Sequence, residues 1–258
     1  MDIEKAIEYL SKITETHIEF NKDDFIEFGR KERGRAYAID GSSVKIFDAY
    51  AFSVFARRTG YVFADEKGII ERKINEIKVD FIIDENADEL NDERRQMEEY
   101  EIAEIFSDDI VLIDGCLFKK RKNVVGISKK SGHKIGNAPL LFLIKKYGEN
   151  FLGEKCWYYK IDEGMYAVKF HPHSRFIFRV DYWGKNADEI FSEISSLCND
   201  ISCLGYPYPL AEIHKLVKIE RDDAEYIKSS FLKKAIEKGI KIEEIEDLFY
   251  DYHEYLEG

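Results

Sequence analysis

Residues 110–115 read IVLIDG, an unbroken apolar run closed by an aspartate and a glycine. A strand with one wet face alternates apolar and polar residues, and one covered on both faces does not, so 110–114 predicts a central, parallel strand of an α/β sheet. Upstream, RAYAIDGSS, AYAFSVFARR, GYVFAD and NEIKVDFIID read as strands joined by short turns, with Ile77, Val79 and Phe81 in clean alternation. Downstream, KCWYYKI and FIFRVDYW supply later strands. A helix is expected near residues 2–15 and another from about Asn91 to Phe106, opened by Asn91 or Asp92 as cap with acids in its first turn. APLLFLIKKYG predicts a buried helix ended by Gly148. The remainder, 187–200, 209–219, 222–238 and 241–256, carries apolar residues at helical spacing, broken at Gly205-Tyr206-Pro207 and at Gly239. No repeat, low-complexity tract or linker interrupts the chain. The expected architecture is α/β, a mixed central sheet flanked by helices with additional C-terminal helices. It forms a single domain over residues 1–258, with its core at about 35–219 and a helical extension at about 220–258.

The chain has 258 residues, 45% hydrophobic and 14% aromatic, enough to bury a sizeable core. The N-terminal stretch MDIEKAIEYL lacks the apolar centre of a signal peptide, and no run approaches the roughly 18 apolar residues of a membrane span, so a cytoplasmic protein without membrane contact is expected. Cys116, Cys156, Cys198 and Cys203 show no CxxC spacing and are expected to be reduced. The formal net charge of −12 argues against a protein that coats nucleic acid. Most of the excess is local: between Asp84 and Asp109 twelve acids face only Arg94 and Arg95, a net of −10. Between Lys119 and Lys134 the balance reverses. Lys119, Lys120, Arg121, Lys122, Lys129, Lys130 and Lys134 occur there with no acid, which suits either a phosphate backbone or a solvated basic hairpin. Abundant Lys, Glu and Ile point toward a thermophilic source.

Two apolar strands are both expected to end in Asp-Gly, AID40-G41 and LID114-G115, which would place two carboxylates at strand ends. A carboxylate beside a core calls for a metal, a cation or a turn hydrogen bond, and Asp-Gly is also a favoured turn pair. Taken together, Asp40 and Asp114 would meet at one sheet edge if their strands are parallel neighbours, where ligands of open α/β sheets gather. Two carboxylates with water and phosphate oxygen suit Mg²⁺ or Mn²⁺ and phosphodiester hydrolysis. A third acid should come from RRQMEEYEIAEIF. Its buried face is set by Ile102, Ala103 and Phe106, which favours Glu99, with Glu98 as the alternative if the helix phase slips by one residue. His171 and His173, in HPHSR, share a strand face. Without a second pair they are read as substrate-side or surface residues rather than zinc ligands.

AIDGS, an Arg/Glu-rich helix, LIDGCL, GISK and GYPYPLAEIH, in this order over residues 35–219, resemble the NurA nucleases. The resemblance implies an RNase H-like fold and Mn²⁺ (or Mg²⁺) held by Asp40, Glu99 and Asp114. It also implies that His214 serves as a further ligand or proton-transfer group, and that Lys129, or its neighbour Lys130, faces the scissile phosphate. His214 shares a helical face with Leu210 and Val217 and is expected to point inward. Arg179 and Asp181 fall in a family-like strand, where an ion pair would explain them as well. The activity implied is a manganese-dependent deoxyribonuclease acting 5′ to 3′ on DNA ends and cutting single strands. Its setting is archaeal DNA end resection, as a homodimer docked on a HerA-type hexameric ATPase. The rival readings are a non-catalytic RNase H-like adaptor between a motor and DNA, and a metal-dependent phosphoesterase on RNA or nucleotides. The sequence departs from the family at Cys116, where serine is common, and in being short, which puts accessory segments in doubt.

Overall fold

The computed structural model describes residues 3–16, 18–49 and 51–249. In chain order the elements are α1 (Ile3–Thr14), β1 (Phe25–Glu27), β2 (Arg35–Asp48), β3 (Ser53–Asp65), β4 (Gly68–Ile74), β5 (Lys78–Ile82), α2 (Ala87–Ile105), β6 (Val111–Asp114) and β7 (Val124–Ser128). There follow β8 (Lys134–Ile135), β9 (Ala138–Pro139), α3 (Leu140–Leu152), β10 (Trp157–Asp162), β11 (Met165–Lys169), β12 (Phe178–Asp181), α4 (Ala187–Ser196), α5 (Tyr208–Val217), α6 (Arg221–Glu237) and α7 (Ile242–Leu248). The result is the mixed sheet with accompanying helices that the sequence predicts. Two compact units divide the chain. One comprises residues up to Ala38, Val62–Glu71 and Phe106–Glu212; the other comprises Ile39–Tyr61, Arg72–Ile105 and the residues from Ile213 onward. Among the described residues no helix is long and apolar enough to cross a membrane.

In the first unit the strand order is β1-β10-β11-β12-β7-β6, followed by the opening residues of β2. Pairing is antiparallel from β1 through β7 and parallel between β7 and β6, where Val111 lies opposite Val124 and Asp114 opposite Ile127. Val111, Leu112, Val124 and Ile127 are wholly inaccessible, as a strand pair covered on both faces requires. The start of β2 joins β6 through Tyr37, whose backbone N–H donates to the Ile110 carbonyl at 2.9 Å. The Tyr37 ring stacks on Phe63 and Phe106. α3 covers the far strands with a core of Phe25, Ile144, Trp157, Ala167 and Ile177. It continues through Gly148 to Gly153, whose φ of 60° supplies the left-handed C-cap. Gly148 therefore does not end this helix as expected. A Cβ there would stand 2.4 Å from the Trp157 ring, so the glycine admits the indole.

In the second unit β5 pairs antiparallel with β3, placing Val54 opposite Phe81 and Arg57 opposite Lys78. Phe55, Ile82, Ala87 and Leu90 form its core beneath α2. The period-2 pattern of β5 is correct but its polarity is inverted. Val79 and Phe81 are about half exposed, while Ile82 is buried and Asp80 turns inward to Arg57. The reason is the buried guanidinium of Arg57, which needs acids on that face. α2 begins one turn earlier than predicted. Asn91, expected as its cap, is buried mid-helix, accepting from Arg57 Nη1 and donating to Ser43 Oγ. The two strands predicted at 49–58 and 60–65 are one, β3, whereas β4 and β11 were not anticipated. α7 is described to Leu248; the rest of the helix expected over 241–256 lies largely outside the described residues.

Candidate metal centre

Asp40 does not end its strand. β2 runs on to Asp48, and the Asp-Gly pair sits in its middle, so the turn alternative fails at this position. The Asp40 side chain is buried, with Oδ1 accepting the Gly41 amide at 2.8 Å. Its Oδ2 lies 2.8 Å from His214 Nδ1, on the last turn of α5. The imidazole is 61% exposed, contrary to the inward orientation expected from Leu210 and Val217. Those two are buried, but the histidine ring rests on the aspartate instead of entering the core.

Glu99 is the buried glutamate of α2, at 2% exposure. Its Oε1 would lie 2.8 Å from a Cβ at position 41, so Gly41 is what lets this carboxylate come against β2 next to Asp40. Glu98 faces elsewhere, to Arg57 and Lys78, so Glu99 is the glutamate on the buried face; Glu101 and Glu104 are exposed. Arg95, one turn before Glu99, binds its Oε1 through Nη1 at 2.6 Å. Burial disfavours the Arg95 charge, but the carboxylates of Glu99, Asp92 and Asp40 more than offset this and hold its pKa above the usual value. Arg95 is a member of this cluster that the sequence reading does not single out. Its signal was the i,i+4 spacing to Glu99.

In the other unit Asp114 does end its strand, followed by Gly115 at φ 122°. Lys129, just beyond β7, meets Asp114 Oδ2 at 2.7 Å, and its ammonium lies 4.8 Å from the Tyr206 ring centroid. The parallel β6–β7 pair explains this contact, because it carries both strand ends in one direction. Lys130 is exposed. Arg179 and Asp181 form an ion pair, and buried Asp181 also accepts the Leu117 amide at 3.0 Å, a structural role. His171 and His173 lie 5.7 Å apart, and His173 Nδ1 is 3.6 Å from Glu154. All four cysteines are free thiols; burial pushes Cys156 up to about 11.

Chemically, the second unit holds two buried carboxylates with an imidazole in contact with one of them. That oxygen-rich donor set with one nitrogen and no sulfur fits a hard-to-borderline divalent cation and does not resemble a thiolate-rich structural zinc site.

The curated relatives include a DNA double-strand break repair nuclease NurA from Sulfurisphaera tokodaii, 26% identical over 235 residues, which cover 82% of this chain and 63% of that protein. The NurA of Sulfolobus acidocaldarius is 40% identical over 62 residues, 24% of this chain and 18% of that one. The chain thus spans under two thirds of the length of these relatives. Among solved structures, the NurA nuclease from Sulfolobus solfataricus superposes with a TM-score of 0.68 at 19% identity, covering 93% of this chain and 96% of that one. A NurA solved with manganese gives 0.66 at 10% identity, over 90% and 96%. At these identities the likeness establishes the fold. The family model described as the NurA domain matches residues 34–219, and the chain belongs to the NurA family.

Proposed function

We propose that this protein is a metal-dependent DNA nuclease in which Asp40, Glu99, Asp114 and His214 hold Mn²⁺, with Mg²⁺ as a substitute, and Lys129 serves the scissile phosphate. The observation that carries the proposal is the buried Asp40 carboxylate touching His214 beside Glu99, in a chain of this family. Adding Asp114 is supported by strand order. β6 neighbours β2, Asp114 lies four residues beyond Ile110, and Asp40 lies three beyond Tyr37, the residue bonded to Ile110. A bound divalent ion would supply activation of water and stabilisation of the leaving oxygen.

The chain's own residues do the rest. Gly41 N–H fixes one Asp40 oxygen, leaving the other directed at His214. Arg95 orients Glu99 and balances its charge. Lys129, a flexible ammonium already beside Asp114, can neutralise a phosphate oxygen as negative charge develops there. His214, its Nδ1 against Asp40 and its ring 61% exposed, would add one nitrogen donor to the carboxylates around the ion.

The family's setting extends the proposal to a homodimer that resects DNA ends 5′ to 3′, cuts single strands, and docks on a HerA-type hexameric ATPase. With a net charge of −12, the isolated protein should bind duplex DNA weakly, the motor supplying much of the affinity. The test incubates labelled single- and double-stranded DNA with the protein in Mn²⁺, Mg²⁺ or EDTA, beside Asp40→Ala and Asp114→Ala. Hydrolysis that needs the ion and is lost in both variants is expected; variants as fast as the parent would remove the site.

A further inference from the structure

The loop between β6 and β7 contains Phe118, Lys119, Lys120, Arg121 and Lys122, four cations and one aromatic with no acid between residues 115 and 123. In a chain of net charge −12 this concentration is a marked local exception. Phe118, Lys119, Lys120 and Lys122 are exposed. The loop is nonetheless pinned at both ends. Leu117 is buried, and its amide is held by Asp181, which Arg179 clamps at 2.9 and 3.1 Å. A Cβ on Gly126 would strike both Leu117 and the Gly115 carbonyl, so β7 presses directly on the loop's first turn. At the other end the Asn123 amide group donates to the carbonyls of Phe106 and Asp109, at 2.8 and 3.0 Å. Between these anchors the Lys119 ammonium sits 5.6 Å from the Phe118 ring centroid, and the Lys120 ammonium lies at the same distance from Trp183.

We propose that Phe118–Lys122 is a grip for single-stranded nucleic acid, with a base stacked on Phe118 and the flanking phosphates neutralised by Lys119, Lys120, Arg121 and Lys122. The inference rests on the nuclease reading above and names the element that presents the strand. Single-strand binders pair an aromatic platform with a cationic track because every base has a face to stack and every link a charge. Here both occur within five residues. The Lys119 ammonium lies over one face of the Phe118 ring, so a base would stack on the opposite face, and the loop begins immediately after Asp114, so a strand held there is delivered to that carboxylate. A duplex hides its base faces and could use only the charges. An acidic peptide such as poly-glutamate likewise matches the charges but offers no aromatic face to stack on Phe118. Anchoring at Leu117 and Asn123 means that little of the loop has to be ordered on binding.

The experiment measures binding of a fluorescent oligo-dT and of a duplex of equal length by anisotropy in EDTA, so that no hydrolysis intervenes. The parent should prefer the single strand. Phe118→Ala should lose about tenfold in single-strand affinity with duplex binding unchanged, and Phe118→Trp should retain it. Lys119→Gln with Lys120→Gln should lower the salt dependence, in log–log slope, by about 1.4, the value for two phosphates on a single strand. Equal binding by Phe118→Ala and parent would overturn the proposal, as would displacement of oligo-dT by poly-glutamate as readily as by unlabelled oligo-dT. A parent that grips single strands but hydrolyses none in Mn²⁺ would defeat the nuclease reading and leave this one standing. Because Phe118 is exposed, its substitution should leave the melting temperature within about 2 °C of the parent.

Discussion

Adding one methyl group at position 41 tests the candidate centre most directly. Gly41 continues an extended strand, so alanine there meets no backbone penalty, and any effect must come from contact. An added Cβ would lie 2.8 Å from Glu99 Oε1, 2.9 Å from Arg95 Cγ and 3.0 Å from Thr59 Cγ2. The first two separations are shorter than real Cβ atoms show, and the third is at the limit of what they show. Glu99 is buried and tied to Arg95, so it cannot swing away without disturbing that ion pair. Overpacking of this kind costs about 1–3 kcal/mol. In a chain of this size each kcal/mol lowers the melting temperature by roughly 2–4 °C, so Gly41→Ala should melt about 2–12 °C below the parent. The displaced carboxylate should also weaken Mn²⁺ binding, by about tenfold or more, as loss of a supporting group at a metal site does. Calorimetric melting and Mn²⁺ titration measure both quantities. Gly29→Ala is the control, because a Cβ there meets nothing within 4 Å. If Gly41→Ala melts with the parent and binds Mn²⁺ equally well, the crowding that sets Glu99 against β2 is not real.

Two further outcomes concern the charged network under α2. Arg57 is buried and bound to Asp80 at 2.6 Å, Glu98 at 3.3 Å and Asn91 at 3.1 Å, so Arg57→Met should cost about 3 kcal/mol in a denaturant titration; a loss below about 1 kcal/mol would show the network to be dispensable. Asp80 is pushed toward a higher pKa by burial, but its hydrogen bonds to Arg57 and Arg94 and their charges outweigh this and lower it below the usual 3.8. The unfolded chain then binds more protons, so this contribution is complete above about pH 4 and disappears as acid takes the pH through the depressed value. Asp80→Asn should therefore flatten the fall in melting temperature as the pH drops below about 4, and an unchanged slope would exclude the coupling.

What was legible in the sequence were features that a local period or a short motif can carry. The apolar run at 110–114 gave the parallel strand beside β7, because burial on both faces leaves an unbroken apolar signature. The burial of Glu99 is legible from helical phase, since Ala103, one turn on, is buried in the same row. What failed were properties decided by distant partners. The Asp-Gly at 40–41 reads as a turn, and only the approach of Glu99, Arg95 and Thr59 explains a glycine in mid-strand. The outward face of β5 follows from Arg57, more than twenty residues away, and Gly148 reads as a helix stop until Trp157 is placed against it. β4 was missed because nearly all its residues are exposed, leaving no alternation to detect.

The doubly anchored loop after β6 has a consequence for how such a protein can change. Leu117 and Asn123 belong to the framework, and the five positions between them hang from it as a replaceable cassette. Exchanging those side chains, or lengthening the span, alters which polymer is caught without moving a residue of the acid cluster. Selectivity could thus drift quickly in descendants of this chain, or be rewritten in the laboratory, while the chemistry is inherited unchanged.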